Sequence, residues 1–389
     1  MFGFKRKEKK TDLAIVNRNF WPHDQVIGEG LLQFAEVVSG DYSVCVVTQE
    51  KERLSQLFCE HNRGVGLKVF ACKAYTTSSS GILKRISEAV FFMLWTFISL
   101  VRARPANVYV STNPPVVVPF IVAIYCRLFK ADYIYHLQDI HPEAANIIVP
   151  LNKMFFSLLK NIDNYTLRHA KAIVTLSEDM KKYIQTRSDI TAPIYLLDNP
   201  SYDMPSIAMK ERSLDVVFCG NAGRLQRIPL LISSIREYIQ GGGRLSFTFA
   251  GAGVHAQDIR ELAEEYSQVS YLGVIPATAA ATLVGNHRWA LLPIDDEVTK
   301  YAFPSKSSGY ALSGTGVLAV CGYETSVSRW VKEHDIGITC EPKHDDLVRC
   351  FFSLENEASK SYTISHDLRE QLQISYFAQR LCEISLSKF

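Results

Sequence analysis

The stretch from Tyr135 to Glu143, YHLQDIHPE, gathers His136, Asp139, His141 and Glu143 immediately after an apolar run. If that run is a buried parallel strand, these groups stand at its carboxyl end, the edge where α/β folds place their active sites. Such a cluster can position a sugar hydroxyl or a phosphate by hydrogen bonds, or move a proton. A simpler role for Asp139 or Glu143 is to cap the next helix, with Pro142 setting its start. Two histidines and two carboxylates are metal-ligand types, but their spacing matches no zinc signature, so neither a metal nor a cofactor is expected.

Three other segments have the composition of phosphate seats. Phe218 to Arg227 (FCGNAGRLQR) follows an apolar run, and its glycines would expose backbone N–H groups ahead of a helix, with Arg224 or Arg227 adding a charged fork. Val26 to Gly30 (VIGEG) repeats the arrangement near the start of the chain. Two such loops facing one cleft would suit a nucleoside diphosphate, although a glycine pair beside an arginine is also common in plain surface turns. In Ala302 to Gly316 (AFPSKSSGYALSGTG), Pro304 and Ser305 would open a helix to which Lys306 adds a cation. The Gly251/Gly253 turn of FAGAG is open to either reading, ligand loop or tight turn.

Strands and helices must hold these segments. Short β-branched runs at Leu13–Asn17, Tyr42–Thr48, Leu67–Cys72, Asn107–Ser111, Tyr133–Leu137, Ala172–Leu176 and Ile194–Leu197 alternate with helical patterns such as Gly30–Val38 and Met154–Arg168. That alternation predicts a parallel sheet covered on both faces. Asp198 to Leu214, with two prolines and no periodicity, reads as a linker. A second series follows at Val216–Cys219, Leu245–Ala250, Val269–Leu272, Ala290–Leu292, Val317–Val320 and Ile336–Thr339. The expectation is two doubly wound, Rossmann-like α/β domains facing a central cleft, residues 1–198 and 199–365, with an amphipathic helix at about 366–389 returning to the first.

Composition agrees with two domains. The chain has 389 residues, 47% of them hydrophobic and 21% charged, enough apolar content for two cores. With 42 Lys+Arg against 40 Asp+Glu the net charge is +2, which argues against a nucleic-acid partner. Nine scattered cysteines, none in a CxxC pair, read as reduced thiols. The basic opening MFGFKRKEKK lacks the apolar core of a secretory signal, so a cytoplasmic location is expected. The longest apolar run, Ala89 to Val101 (AVFFMLWTFISLV), is shorter than the roughly 20 residues of a spanning helix. Flanked by Lys84, Arg85, Arg102 and Arg104, and carrying Phe91, Phe92 and Trp95, it suits either an anionic membrane surface or a core helix with charged ends.

The order of four stretches resembles that of the GT-B glycosyltransferases, in particular the retaining family 4 and its bacterial surface-polysaccharide branch. They are YHLQDIHPE, LRHAKAIVTLSEDMKKYI (167–184), VVFCGNAGRLQRIPLLISSI (216–235) and LGVIPATAAATLV with LLPIDDEVTKYAFPSKSSGYALSGTGVLAV (272–320). With FAGAG they span most of residues 133 to 340, whereas the chain before residue 130 matches only in outline. The resemblance implies transfer of a hexose-type sugar, with retention, from a nucleotide-sugar donor on the second domain to a lipid-linked or oligosaccharide acceptor on the first. It implies donor contacts from Gly220, Asn221, Gly223, Arg224, Ser305 and Lys306, an approach by Gly28 and Gly30, and His136, Asp139 and His141 beside the reacting sugar. The charged apolar helix would then dock the enzyme peripherally on the cytoplasmic leaflet. One departure stands out: the family's two glutamates, eight positions apart, fall on Tyr301 and Gly309. The missing pair motivates a second reading, a non-catalytic homologue serving as a scaffold, and the shared two-domain architecture a third, a nucleotide-sugar 2-epimerase.

Overall fold

The computed structural model describes residues 11–50, 53–76, 81–202, 212–356 and 362–387. The basic opening segment and residues 203–211 of the polar stretch lie outside the described residues. The chain forms two compact units, one of Met1–Leu197 with Ile374–Phe389 and one of Asp198–Gln373.

In the first unit the strands are β1 (Thr11–Val16), β2 (Val44–Glu50), β3 (Lys68–Lys73), β4 (Pro105–Ser111), β5 (Asp132–His136), β6 (Ala172–Thr175) and β7 (Ile194–Leu196). They form one seven-stranded sheet in the order β3-β2-β1-β4-β5-β6-β7 with every pairing parallel. Between them run α1 (Ile27–Ser39), α2 (Leu54–Glu60), α3 (Ile82–Ala103), α4 (Val117–Phe129), α5 (Glu143–Ile148), α6 (Lys153–His169) and α7 (Glu178–Arg187). The strand order reverses between β1 and β4, which is what near-continuous Val/Ile runs joined by right-handed crossovers produce.

The second unit repeats the plan. Its strands β8 (Leu214–Cys219), β9 (Phe247–Ala250), β10 (Val269–Tyr271), β11 (His287–Pro293), β12 (Gly316–Val320) and β13 (Gly337–Cys340) form a parallel sheet in the order β10-β9-β8-β11-β12-β13. Its helices are α8 (Ile228–Gln240), α9 (Ala256–Glu265), α10 (Ala277–Gly285), α11 (Lys306–Leu312), α12 (Ser326–Glu333), α13 (His344–Asn356) and α14 (His366–Gln371). Phe218, Phe247, Phe249, Trp289, Tyr238 and Phe351 fill its core. All thirteen strands among the described residues stand within a few residues of their sequence-predicted places, and the fold class is the expected one.

The amphipathic segment after residue 366 is two helices rather than one. α14 ends where the Leu372 carbonyl accepts the Ser201 N–H at 2.8 Å, and α15 (Ile374–Leu386) then packs on α1 in the first unit. Phe377, Leu381 and Ile384 of α15 share a core with Leu31, Phe34 and Ala35.

α3 extends well beyond the apolar run read from sequence. At 22 residues it is the one described helix long and apolar enough to cross a membrane, which corrects the expectation of a run too short to span. Here it packs beside α4 and against β2, and Phe92, Leu100 and Ala103 are buried. None of the nine cysteines forms a disulfide.

Candidate active site

In the second unit the strand order reverses between β8 and β11, and the loops at their carboxyl ends converge with α11. Gly220 follows β8 with φ +144° and donates its N–H to the Ala250 carbonyl at 2.9 Å. Ala222 donates to Ala252 at 2.7 Å and accepts from His255 at 3.2 Å, so the loops after β8 and β9 stay paired beyond the strands. This close approach explains FAGAG. A methyl at Gly251 would lie 1.9 Å from the Gly220 carbonyl oxygen, and one at Gly253 2.2 Å from that of Ala222. Those two glycines are therefore tight-turn residues that set the phosphate-loop geometry. The N–H groups of Asn221 and Gly223 carry no backbone hydrogen bond among the described residues.

Lys306 is the unusual group here. Its ammonium nitrogen is buried without a hydrogen-bond partner and sits 4.0 Å from the centre of the Phe218 ring. A side chain on Gly220 would meet that nitrogen at 3.4 Å. Burial pushes the lysine down to about 7, a shift that the Cys219 thiol only partly opposes. A buried amine facing a glycine turn lacks an anion. The helix that carries it is fastened by Tyr310, whose hydroxyl donates to the Cys219 carbonyl at 2.9 Å and accepts the Cys219 N–H at 3.0 Å. Nothing in the sequence marks Tyr310, because its partner is a backbone group ninety-one positions earlier.

Ser305 and Arg224 are exposed. Arg227 does not extend a fork to a ligand. It ends in a left-handed turn (φ +48°) and bonds the Ile294 carbonyl at 2.9 Å and Asp296 at 3.1 Å. Gly309, one of the two positions where the family carries glutamate, faces the Ser201 hydroxyl, which a methyl would approach to 3.2 Å.

In the first unit the residues of YHLQDIHPE separate into roles. His136 is fully buried, its Nδ1 paired with the Tyr109 hydroxyl and its ring 5.9 Å from that of Phe377. Burial pushes it down to about 3. The ring is enclosed and presents no exposed face to a substrate, and its Nε2 is buried without a hydrogen-bond partner among the described residues. Glu143 is also structural. It accepts from Tyr183 at 2.7 Å and Arg187 at 2.9 Å, and Arg187 in turn holds the buried Asp163. Asp139 and His141 are half-buried. Burial raises the Asp139 carboxyl to about 6 and lowers His141 to about 4, against the pull of Glu143.

Gly28 and Gly30 do not line a ligand site. A methyl at Gly30 would lie 2.7 Å from the Phe377 ring, and one at Gly28 2.8 Å from the Phe20 and Trp21 backbone. The protein itself occupies both approaches, so these glycines permit close packing. Among the described residues no cluster of three His, Cys, Asp or Glu side chains could hold a metal ion.

On α3, Lys84, Arg85 and Arg102 are exposed, and Phe91 is partly so, against Tyr75. Arg104 ends the helix in a left-handed conformation. Phe92 is fully buried and cannot dock on anything, and Trp95 is half-buried with its N–H on the Phe70 carbonyl at 3.1 Å. The open apolar side is instead Leu83, Ile86, Val90, Leu94 and Ile98.

No protein-family profile matches the chain. Over 259 residues it is 24% identical to a probable glycosyltransferase, WbjE, of Pseudomonas aeruginosa, a match spanning 62% of this chain and 64% of that relative's length. Among solved structures, sucrose-phosphate synthase from Thermosynechococcus elongatus superposes with a TM-score of 0.73 at 11% identity, over 97% of this chain and 98% of that one. Anabaena HepE in complex with UDP superposes with a TM-score of 0.64 at 14% identity, over 97% of this chain and all (100%) of the other. The fold is that of the GT-B glycosyltransferases.

Proposed function

We propose that this chain is a retaining glycosyltransferase of the family 4 type. It transfers a hexose-type sugar from a nucleoside-diphosphate donor, seated on the second unit, to a lipid-linked or oligosaccharide acceptor of surface polysaccharide synthesis. The observation that carries the reading is the buried, unpartnered Lys306 ammonium beside the Gly220 turn. Departure of a nucleoside diphosphate builds negative charge on its phosphate oxygens, and a fixed cation with convergent N–H groups at that point lowers the barrier most. With Lys306, Arg224 and the Gly220–Gly223 backbone aimed at the diphosphate, the reaction needs no resident metal. The UDP bound by HepE and the transferase relative support the same assignment.

Asp139 is the group of the first unit suited to hold or deprotonate an acceptor hydroxyl. The exposed apolar side of α3 next to Lys84 and Arg85 supports peripheral docking on an anionic cytoplasmic leaflet. A thermal-shift panel of UDP-, GDP- and TDP-sugars tests the reading, followed by product analysis with the donor that binds. One donor should raise the Tm and yield free sugar slowly in the absence of acceptor, and product NMR should show retention on transfer. Conversion of the donor to its 2-epimer would favour the epimerase reading. No shift with any donor would leave the scaffold reading.

A further inference from the structure

The first unit carries a pocket of about 380 Å³ that the residues discussed so far do not explain. Tyr75, Thr76, Lys84, Ser87, Glu88 and Phe91 line it. Glu88 forms the floor. It is buried, the one carboxylate of α3, and accepts the N–H groups of Tyr75 and Thr76, the Thr76 hydroxyl and the Arg18 guanidinium. A buried carboxylate is costly unless paired in this way. Burial alone would raise its pKa, but the bonds from Thr76 and Tyr75 together with Arg18 hold it below the usual range.

The position of the floor points to a ligand. Arg18 follows β1, and Tyr75 and Thr76 follow β3, so the pocket opens at the carboxyl edge of the sheet, where α/β folds bind their ligands. Its walls are the Tyr75 and Phe91 rings, set edge to face with centroids 5.7 Å apart, and at its rim stand the Ser87 hydroxyl and the Lys84 ammonium. Aromatic rings beside the Lys84 ammonium, a donor, and the Ser87 hydroxyl, which donates to the Lys84 carbonyl at 2.8 Å and keeps its oxygen free to accept, form a surface for a sugar, which offers C–H faces and hydroxyl edges together.

The same helix supplies a second surface. Lys84, Ser87, Glu88 and Phe91 recur at three- and four-residue steps and so share one stripe of α3. The adjoining stripe is Leu83, Ile86, Val90, Leu94 and Ile98, exposed by 82, 55, 42, 53 and 45%. A polar pocket and an open apolar strip thus lie on neighbouring faces of one helix.

We infer that the pocket binds the sugar headgroup of a glycolipid, whose hydrocarbon chain lies along the Leu83–Ile98 strip. This rests on the transferase reading, for which it names the acceptor class and the seat of one of its sugars, a different sugar from the one whose hydroxyl meets Asp139, since β3 and β5 stand four places apart in the sheet. Membrane docking alone would account for the strip and leave the pocket empty, and a free oligosaccharide would use the pocket without the strip that adjoins it; a glycolipid is the one ligand that uses both.

The test is binding of octyl glycosides (glucoside, galactoside, mannoside and N-acetylglucosaminide), below their micelle concentrations, to the full chain by calorimetry. Methyl glycosides and octyl phosphocholine are the controls, and Ser87→Trp fills the pocket from an exposed position. At least one octyl glycoside should bind tenfold or more tightly than its methyl counterpart and than octyl phosphocholine, and Ser87→Trp, with unchanged Tm, should lose that preference. A second variant, Val90→Glu, should lose the advantage of the octyl chain and keep the methyl glycoside. Equal binding of octyl phosphocholine, unchanged binding by Ser87→Trp, or no binding of any octyl glycoside would overturn the proposal. The nucleotide-sugar thermal shift of the wild type, read in parallel, separates the two levels. A shift without glycoside binding rejects the pocket alone, and glycoside binding without a shift rejects the transferase.

Discussion

The Tyr310 hydroxyl bonds both backbone groups of Cys219, donating to the carbonyl at 2.9 Å and accepting from the N–H at 3.0 Å. One side chain thus locks α11, and with it Lys306, to the last residue of β8. Tyr310→Phe keeps the ring and removes both bonds, leaving a peptide group without its partners. The expected cost is about 1–3 kcal/mol of stability, seen as a lower Tm, together with roughly tenfold weaker nucleotide binding. If stability falls while nucleotide affinity is unchanged, α11 does not position the donor.

Lys306→Met should separate stability from function. The lysine sits at about 7 in the folded chain and near 10.5 when exposed, because burial disfavours its charge. Between those values the unfolded chain holds the extra proton, so wild-type stability rises with pH across that window. The penalty is fully present below pH 7. The methionine variant should therefore melt above the wild type at pH 6, with the gap closing as pH rises from 7 towards 10. Nucleotide-sugar affinity should fall at least tenfold. A variant that melts lower at pH 6 would show that the ammonium is already satisfied in the fold.

Asp139 gives a kinetic signature. With burial holding its carboxyl at about 6, the wild-type transfer rate should rise with pH through that value as the carboxylate forms. Asp139→Asn should lose the limb and about 100-fold in rate, the lower range for a positioned acid or base. Persistence of the limb in the variant would assign it to another group.

Gly253 has φ +150° and no room for a methyl beside the Ala222 carbonyl. Gly253→Ala should destabilise by roughly 1–3 kcal/mol through strain and forced displacement. Because the Ala222 loop must move, nucleotide binding should weaken as well. Denaturant titration and the thermal-shift assay read the two effects on one sample.

The strands were legible because each is a short Val/Ile-rich run bounded by turn residues, and sheets covered on both faces require that composition. The phosphate loop was legible as glycines after such a run. Three assignments went astray for physical reasons. His136 looked reactive at a strand end, but at that point β5 is covered on both faces, so the ring is enclosed. Gly28 and Gly30 resembled a phosphate loop, whereas their smallness serves contact with Phe377 and the Phe20–Trp21 backbone, partners distant in sequence or hidden in a loop. In the Ala89–Val101 run of α3 nearly every residue is apolar, so the sequence does not mark which side meets the sheet. Phe92 went inward, and Val90 and Leu94 were left outside. Glu88 escaped notice because a single carboxylate in an apolar run has no motif. Its meaning depends on Arg18, seventy positions earlier.

The packing of α15 on α1 also bears on how the protein is made. Residues 374–386 leave the ribosome only after the whole of the second unit, yet Phe377, Leu381 and Ile384 belong to the core that Leu31 and Phe34 need. The unit synthesised second can close first. The one synthesised first must wait, with part of its apolar surface uncovered, until translation has passed residue 386. During that interval the nascent chain is open to chaperones and to misassembly, and a nonsense or frameshift lesion past residue 373 would damage the fold of the opening half of the sequence while sparing the unit next to it.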